Sequence, residues 1–154
     1  MNCLENKIPP PVVGLLFALI IWAISRVTAP LIIFNSQQIL VVVVGMLIVG
    51  FGFAISGGIS FRIAKTTVNP LKPETASALV TSGVYKVTRN PMYVGMAIIL
   101  LAWTVYLQVP FALFAIVGFI AYIQCFQIVP EERALKMLFG SEFERYQSKV
   151  RRWL

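Results

Sequence analysis

Between Gly83 and Gly95 the chain gathers two tyrosines, an arginine, an asparagine and a proline. They read Gly83-x-Tyr85, then Arg89-Asn90-Pro91-x-Tyr93-x-Gly95. A second polar cluster, Glu131-Glu132-Arg133, follows further on. The chemistry open to these groups is narrow. A guanidinium fork such as Arg89 grips a carboxylate or phosphate. The rings of Tyr85 and Tyr93 can hold a cation against a face. Glu131 or Glu132 can bind an ammonium or a hydroxyl. The chain has no histidine, and its six acidic residues are all glutamate. Histidine-based catalysis is excluded, and a zinc or di-iron site is disfavoured; no metal ligand set is expected. Cys3 and Cys125 lie far apart and form no CxxC pair, so disulfide exchange is disfavoured. Such a site suits a zwitterionic, partly cationic small molecule. It suits a reaction governed by orientation and desolvation more than by acid–base work. A structural reading stands beside this one. Asn90 would be an N-cap, Pro91 the first helical residue, Arg89 a lipid-phosphate anchor and the tyrosines interfacial belt residues. The glutamates would then be first-turn partners of a helix dipole.

The elements that must position these groups are apolar. Of 154 residues, 58% are hydrophobic and 12% charged, with a mean hydropathy of +0.83. A soluble domain carries about twice that charged fraction. An all-α, polytopic membrane protein of one domain, residues 1–154, is expected. Runs near the twenty residues that cross a bilayer occur at 11–33, 39–58, 91–107 and 111–129. They read as four transmembrane helices in two antiparallel hairpins. A polar connection, 59–90, joins the hairpins, and amphipathic cytosolic helices fill the tail, 130–154. The first run is too long for a signal h-region and lacks a cleavage site, so no cleavable leader is expected.

The net charge is +7. Basic residues concentrate in the central connection and the tail, whereas the links at Asn35–Gln38 and around Gln108–Pro110 hold none. The positive-inside rule then puts connection, tail and both termini in the cytoplasm, on one side with both polar clusters. The positive charge is read as facing anionic lipid headgroups, not nucleic acid. Arg26 interrupts the first run, with Pro30 close behind, and reads as a snorkelling residue or a headgroup contact. The second run carries Gly45, Gly50, Gly52, Gly57 and Gly58, which favour close helix packing or self-association. Pro130 suits the start of a tail helix, and Gly140-Ser141 should interrupt it.

The stretch Leu79-Val-Thr-Ser-Gly-Val-Tyr-Lys-Val-Thr-Arg-Asn-Pro-Met-Tyr-Val-Gly95, followed by Glu131-Glu-Arg-Ala-Leu and Phe139-Gly-Ser-Glu-Phe-Glu-Arg-Tyr146, resembles the isoprenylcysteine carboxyl methyltransferase family. That family belongs to a wider group of membrane methyltransferases that includes phospholipid methyltransferases. The resemblance covers roughly residues 60–152. It implies S-adenosyl-L-methionine as cofactor, S-adenosyl-L-homocysteine as product and a bacterial inner-membrane location. The cofactor contacts it implies fall on Ser77, Ala78, Leu79, Val80, Tyr85, Asn90, Pro91, Met92, Tyr93 and Glu131. Arg89 and Glu132 become the candidate catalytic residues, with Glu132 the base if the acceptor is an amine. Two positions depart from the family pattern. Asn90 stands where the motif often has histidine, so that position cannot titrate. Gln127 stands where the eukaryotic enzymes have a substrate-facing arginine. The implied acceptor is lipophilic and enters from the bilayer: an isoprenylcysteine-type carboxylate, a phospholipid amine or a thiol. The competing classes are a small four-helix transporter and a non-catalytic scaffold.

Overall fold

The computed structural model describes residues 5–28, 35–66 and 76–154. Cys3, Pro30, Lys72 and the far end of the first expected span lie outside them. Among the described residues every regular element is helical, with no strand. The elements are α1 (Pro10–Val27), α2 (Ser36–Ile63), α3 (Pro91–Leu107), α4 (Leu113–Ile123), α5 (Val129–Phe139) and α6 (Ser141–Gln147). A 3₁₀ turn, Gly83–Lys86, precedes α3.

Local chemistry sets the ends. Prolines open α1 and α3, where a missing N–H costs nothing. Asn35 caps α2, its side chain accepting the Gln37 N–H at 3.1 Å. Gln108 ends α3 in the left-handed region, φ 55°. Among the described residues three helical stretches are long and apolar enough to cross a membrane: Pro10–Val27, Ser36–Ile63 and Pro110–Phe139. α3, at 17 residues, is apolar but shorter. α2 runs five residues past its expected end at 58. Its outward residues, among them Val41, Ile48 and Ile55, are exposed, as lipid-facing residues would be. Arg26 is exposed, its guanidinium 5.9 Å from the Trp22 ring centroid.

α3 is the shared partner of α1, α2 and α4. α2 runs antiparallel to it, Gly57 lying against Met92 and Gly50 against Ile99. The contact is backbone to backbone. A Cβ on Gly95 would stand 2.5 Å from the Gly50 carbonyl oxygen and 3.0 Å from the Ala54 nitrogen. Small residues allow that approach, but only Gly50 and Gly57 of the five α2 glycines use it. A Cβ at Gly45, Gly52 or Gly58 would meet nothing within 4 Å. α1 lies along α3 and α4, with Trp103 Nε1 donating to the Ala18 carbonyl at 3.2 Å and Phe17 edge-on to Phe119.

Pro130 was expected to begin a separate tail helix. Instead helix runs unbroken through it, from Pro110 to Phe139. A π turn at Gln124–Ile128 absorbs the strain: the Val129 N–H reaches back to the Gln124 carbonyl. Pro130 has no N–H to offer the Phe126 carbonyl, and the Asn6 N–H takes that acceptor at 3.0 Å. Gln127, fully buried, donates from Nε2 to the Ile8 carbonyl at 2.8 Å. The N-terminal segment is thereby stitched to the π turn. A thirty-residue helix exceeds the roughly twenty that hydrocarbon requires. With 111–129 as the apolar part, Glu131 and Glu132 stand in the projecting end. Gly140, φ 48°, then breaks the helix as expected.

The α2–α3 seam yields a direct expectation. Gly95→Val is expected to destabilise the protein by about 1–3 kcal/mol through forced helix separation. Gly58→Val is expected to change little. Thermal unfolding of both variants in the same detergent checks this.

Candidate active site

Ends of α2, α3, α5 and α6 meet the 76–90 connection around one cavity of about 90 Å³. Eight of the residues singled out in the sequence line it: Ala78, Leu79, Val80, Tyr85, Arg89, Asn90, Glu131 and Glu132. Phe61, Ala76, Leu135, Phe143 and Tyr146 complete the wall and were not anticipated as site residues. Phe61 meets Tyr85 edge-on, ring centroids 5.5 Å apart. The Tyr146 hydroxyl donates to the Tyr85 carbonyl at 2.7 Å. The aromatic wall is therefore held by its own packing and one buried hydrogen bond.

Four of the expected cofactor residues do not line the cavity. Pro91 is buried in the α3 start, and Met92 packs on Gly57 of α2. Tyr93 is buried, but its hydroxyl donates to Glu131 Oε1. Ser77 is exposed; its N–H and Oγ bond the Thr66 hydroxyl at 2.9 and 3.2 Å, which anchors the connection to the end of α2. Thr66 carries no motif, and only its capacity to bond backbone two ways hints at this role.

The two glutamates receive opposite treatment. Glu132 Oε1 accepts from Arg89 Nη2 at 2.6 Å. Its Oε2 accepts from Arg152 Nη2 at 2.6 Å, and Arg152 Nε adds a bond to Oε1 at 3.1 Å. Burial alone would push this carboxyl up, but the hydrogen bonds from Arg152 and Arg89 hold it below its ordinary value. Glu132 is thus a carboxylate held ionised between two guanidinium groups. Among the described residues no cation is bonded to Glu131. Burial raises its pKa to about 8, the Tyr93 hydrogen bond opposes this, and the neighbouring Glu132 charge adds to it. Glu131 is therefore the carboxyl that titrates near neutrality. Burial also raises the phenols of Tyr85 and Tyr146, so both stay neutral.

Arg89 is almost wholly enclosed, 11% exposed. Besides Glu132 it donates from Nη1 to the carbonyls of Gln147 and Val150 at 3.1 and 2.8 Å. Its buried Nε meets no acceptor among the described residues. Asn90 does not cap α3 with its side chain; Nδ2 donates to the Arg152 carbonyl at 2.9 Å. Gln127, in the place of the family arginine, is directed to Ile8 and does not line the cavity. Among the described residues no cluster of potential metal ligands occurs.

These features define an all-helical membrane protein with a polar site built where its apolar helices emerge. The chain belongs to the phospholipid methyltransferase family, whose model matches residues 38–142. The wider group inferred from the motif is thereby borne out, and with it a membrane methyltransferase. A Haemophilus influenzae protein, described only as uncharacterized, is 48% identical over 63 residues, 41% of this chain and all of that protein. No solved structure matches.

The raised Glu131 carboxyl carries a pH signature. Its folded pKa exceeds the ordinary 4.5, so the folded state holds this proton more tightly than the unfolded state. The contribution is full below about 4.5 and is lost as pH rises through about 8. Glu131→Gln is expected to gain stability over the parent progressively across that window. Unfolding midpoints of both proteins over the same pH series test it. A constant difference would mean that Glu131 titrates normally.

Proposed function

We propose that this chain is an S-adenosyl-L-methionine-dependent methyltransferase acting on a lipophilic acceptor at the cytosolic membrane face. The observation that carries this is the Tyr93-bonded carboxyl of Glu131 set in an aromatic-walled cavity of a phospholipid methyltransferase family member. The donor set fits the cofactor. The rings of Phe61, Tyr85 and Tyr146 suit a cation. Glu131 offers an anionic acceptor for ammonium or hydroxyl groups, and Arg89 Nε offers an enclosed donor for a carboxylate. When bound, the cofactor supplies an electrophilic methyl on a cationic sulfur.

The chain's own residues orient and exclude water. The packed wall of Phe61, Phe143 and Tyr146 keeps the cavity of low dielectric, which favours a step in which opposite charges neutralise. Holding the acceptor in line is the main source of rate. A carboxylate or thiolate acceptor needs no base at transfer. For an amine, Glu131 is the group whose pKa suits taking the proton, and Glu132 serves by fixing Arg89. The acceptor classes are an isoprenylcysteine-type carboxylate, a phospholipid amine and a thiol, entering laterally from the lipid; S-adenosyl-L-homocysteine leaves to the cytosol. The membrane arrangement proposed with this is four spans in two hairpins, α3 being the short third span. Both termini face the cytoplasm of a bacterial inner membrane.

Calorimetry on detergent-purified protein tests the reading. Wild type is expected to bind S-adenosyl-L-methionine saturably, with S-adenosyl-L-homocysteine competing. Glu131→Ala and Tyr93→Ala are expected to lose that binding. No binding by folded wild type, or unchanged affinity in both variants, would remove the proposal.

A finer expectation follows from the raised Glu131 carboxyl. A bound cation favours its ionised form, so at pH 7, below its value of about 8, cofactor binding should release a proton. Binding enthalpies in buffers of different ionisation enthalpy would show this release, and Glu131→Gln should abolish it.

A further inference from the structure

We propose that the C-terminal strap, Ser148 to Trp153, braces the site from behind its lining, and that Arg152 is a positioning residue. It fixes Glu132, and through it Arg89, in the arrangement that the cavity needs. The strap follows α6 without helical structure of its own. What holds it is bonding to the site. The Arg89 N–H donates to the Arg151 carbonyl at 3.0 Å. The Thr88 hydroxyl and Asn90 Nδ2 both donate to the Arg152 carbonyl, at 3.3 and 2.9 Å. Trp153 Nε1 donates to Gln124 Oε1 at 3.1 Å, which fastens the far end to the π turn. The backbone of the strap thus reads the side chains and N–H of residues 88–90, the segment that leads into α3.

Arg152 adds the reverse contact. Its fork meets both oxygens of Glu132, whose side chain is 13% exposed. Arg89 reaches only Oε1. Without Arg152, Oε2 of a mostly buried carboxylate loses its bonded partner, and nothing keeps the carboxylate from rotating away from Arg89. A lysine supplies charge but not the two-pronged geometry, so it should not replace Arg152. The pair of arginines around one carboxylate also leaves this rim with a surplus positive charge. Residues 148–153 lie outside the 38–142 stretch that the family model matches, so membership assigns them no role.

The cofactor arm of the test rests on the methyltransferase reading; a second arm does not. In the full-length protein, Arg152→Ala is expected to weaken S-adenosyl-L-methionine binding about tenfold to a hundredfold, the scale on which loss of an orienting partner acts. Its unfolding midpoint is expected to fall, because a mostly buried carboxylate oxygen loses its partner, so affinities are compared on folded protein well below both midpoints. Arg152→Lys should bind as weakly, and guanidinium ion added below denaturing concentration should restore Arg152→Ala. In the second arm, hydrogen exchange of the Arg89 amide is compared between full-length wild type and full-length Arg152→Ala. Exchange is expected to speed up by about tenfold or more when the fork no longer holds the strap to Glu132. Wild-type affinity in Arg152→Ala or Arg152→Lys, or an Arg89 amide equally protected in Arg152→Ala, would overturn the proposal. If wild type itself binds no cofactor, the methyltransferase reading fails, and the exchange arm alone decides the role of the strap.

Discussion

The site hangs on the ion pairing of Glu132 between Arg89 and Arg152. Those three side chains join the α3 start, the first turn of α5 and the C-terminal strap, while Arg89 extends the join to the end of α6. Burying one carboxylate among arginines is costly unless every charge is bonded. Here both carboxylate oxygens are bonded, and Arg89 spends its remaining Nη capacity on backbone carbonyls. The pairing therefore adds little net stability by itself, but it specifies one arrangement of four segments. The cavity exists between those segments, so its shape depends on that arrangement.

The frame that brings these segments together depends on two backbone accommodations. The Gly50–Gly95 approach lets α2 and α3 touch main chain to main chain, which sets Phe61 at the end of α2 close to Tyr85. The π turn lets the last long helix continue past Pro130, so Glu131 and Glu132 are carried on the same rigid rod as α4. A break at Pro130 would have left both carboxyls on an independently placed helix. Orientation governs methyl transfer, and a continuous helix gives tighter positional control than a hinge.

Much of this was legible in the chain itself. Apolar run length and the clustering of basic residues gave helices of membrane length and a polar site at one end of them. Arg89, Asn90, Tyr85 and the glutamate pair stood out by type and spacing. Arg152 did not, because it was one of six tail cations and nothing in its neighbourhood set it apart. The division of labour between Glu131 and Glu132 was illegible for a geometric reason. Adjacent helical residues point about 100° apart, so neighbours in sequence face different surroundings that only the fold reveals. Pro130 misled because its cost depends on a distant partner: the Asn6 N–H that takes up the freed Phe126 carbonyl. Ser77 resembled a cavity residue by position, but Thr66 draws it outward.

The contrast between the two glutamates also explains how one helix end can meet two electrostatic demands. A fixed anion is needed to hold Arg89, and a fixed anion must be paired. A carboxyl that answers an arriving cation must instead be unpaired and easily ionised. If both carboxyls were paired, the site would have no group left to respond to positive charge. If both were unpaired, two like charges in one apolar pocket would repel each other and neither would anchor the arginine. Burial raises the proton affinity of Glu131, and the charge of paired Glu132 beside it adds to that effect. The anchor and the responsive group thus share one helix turn without competing for the same partners.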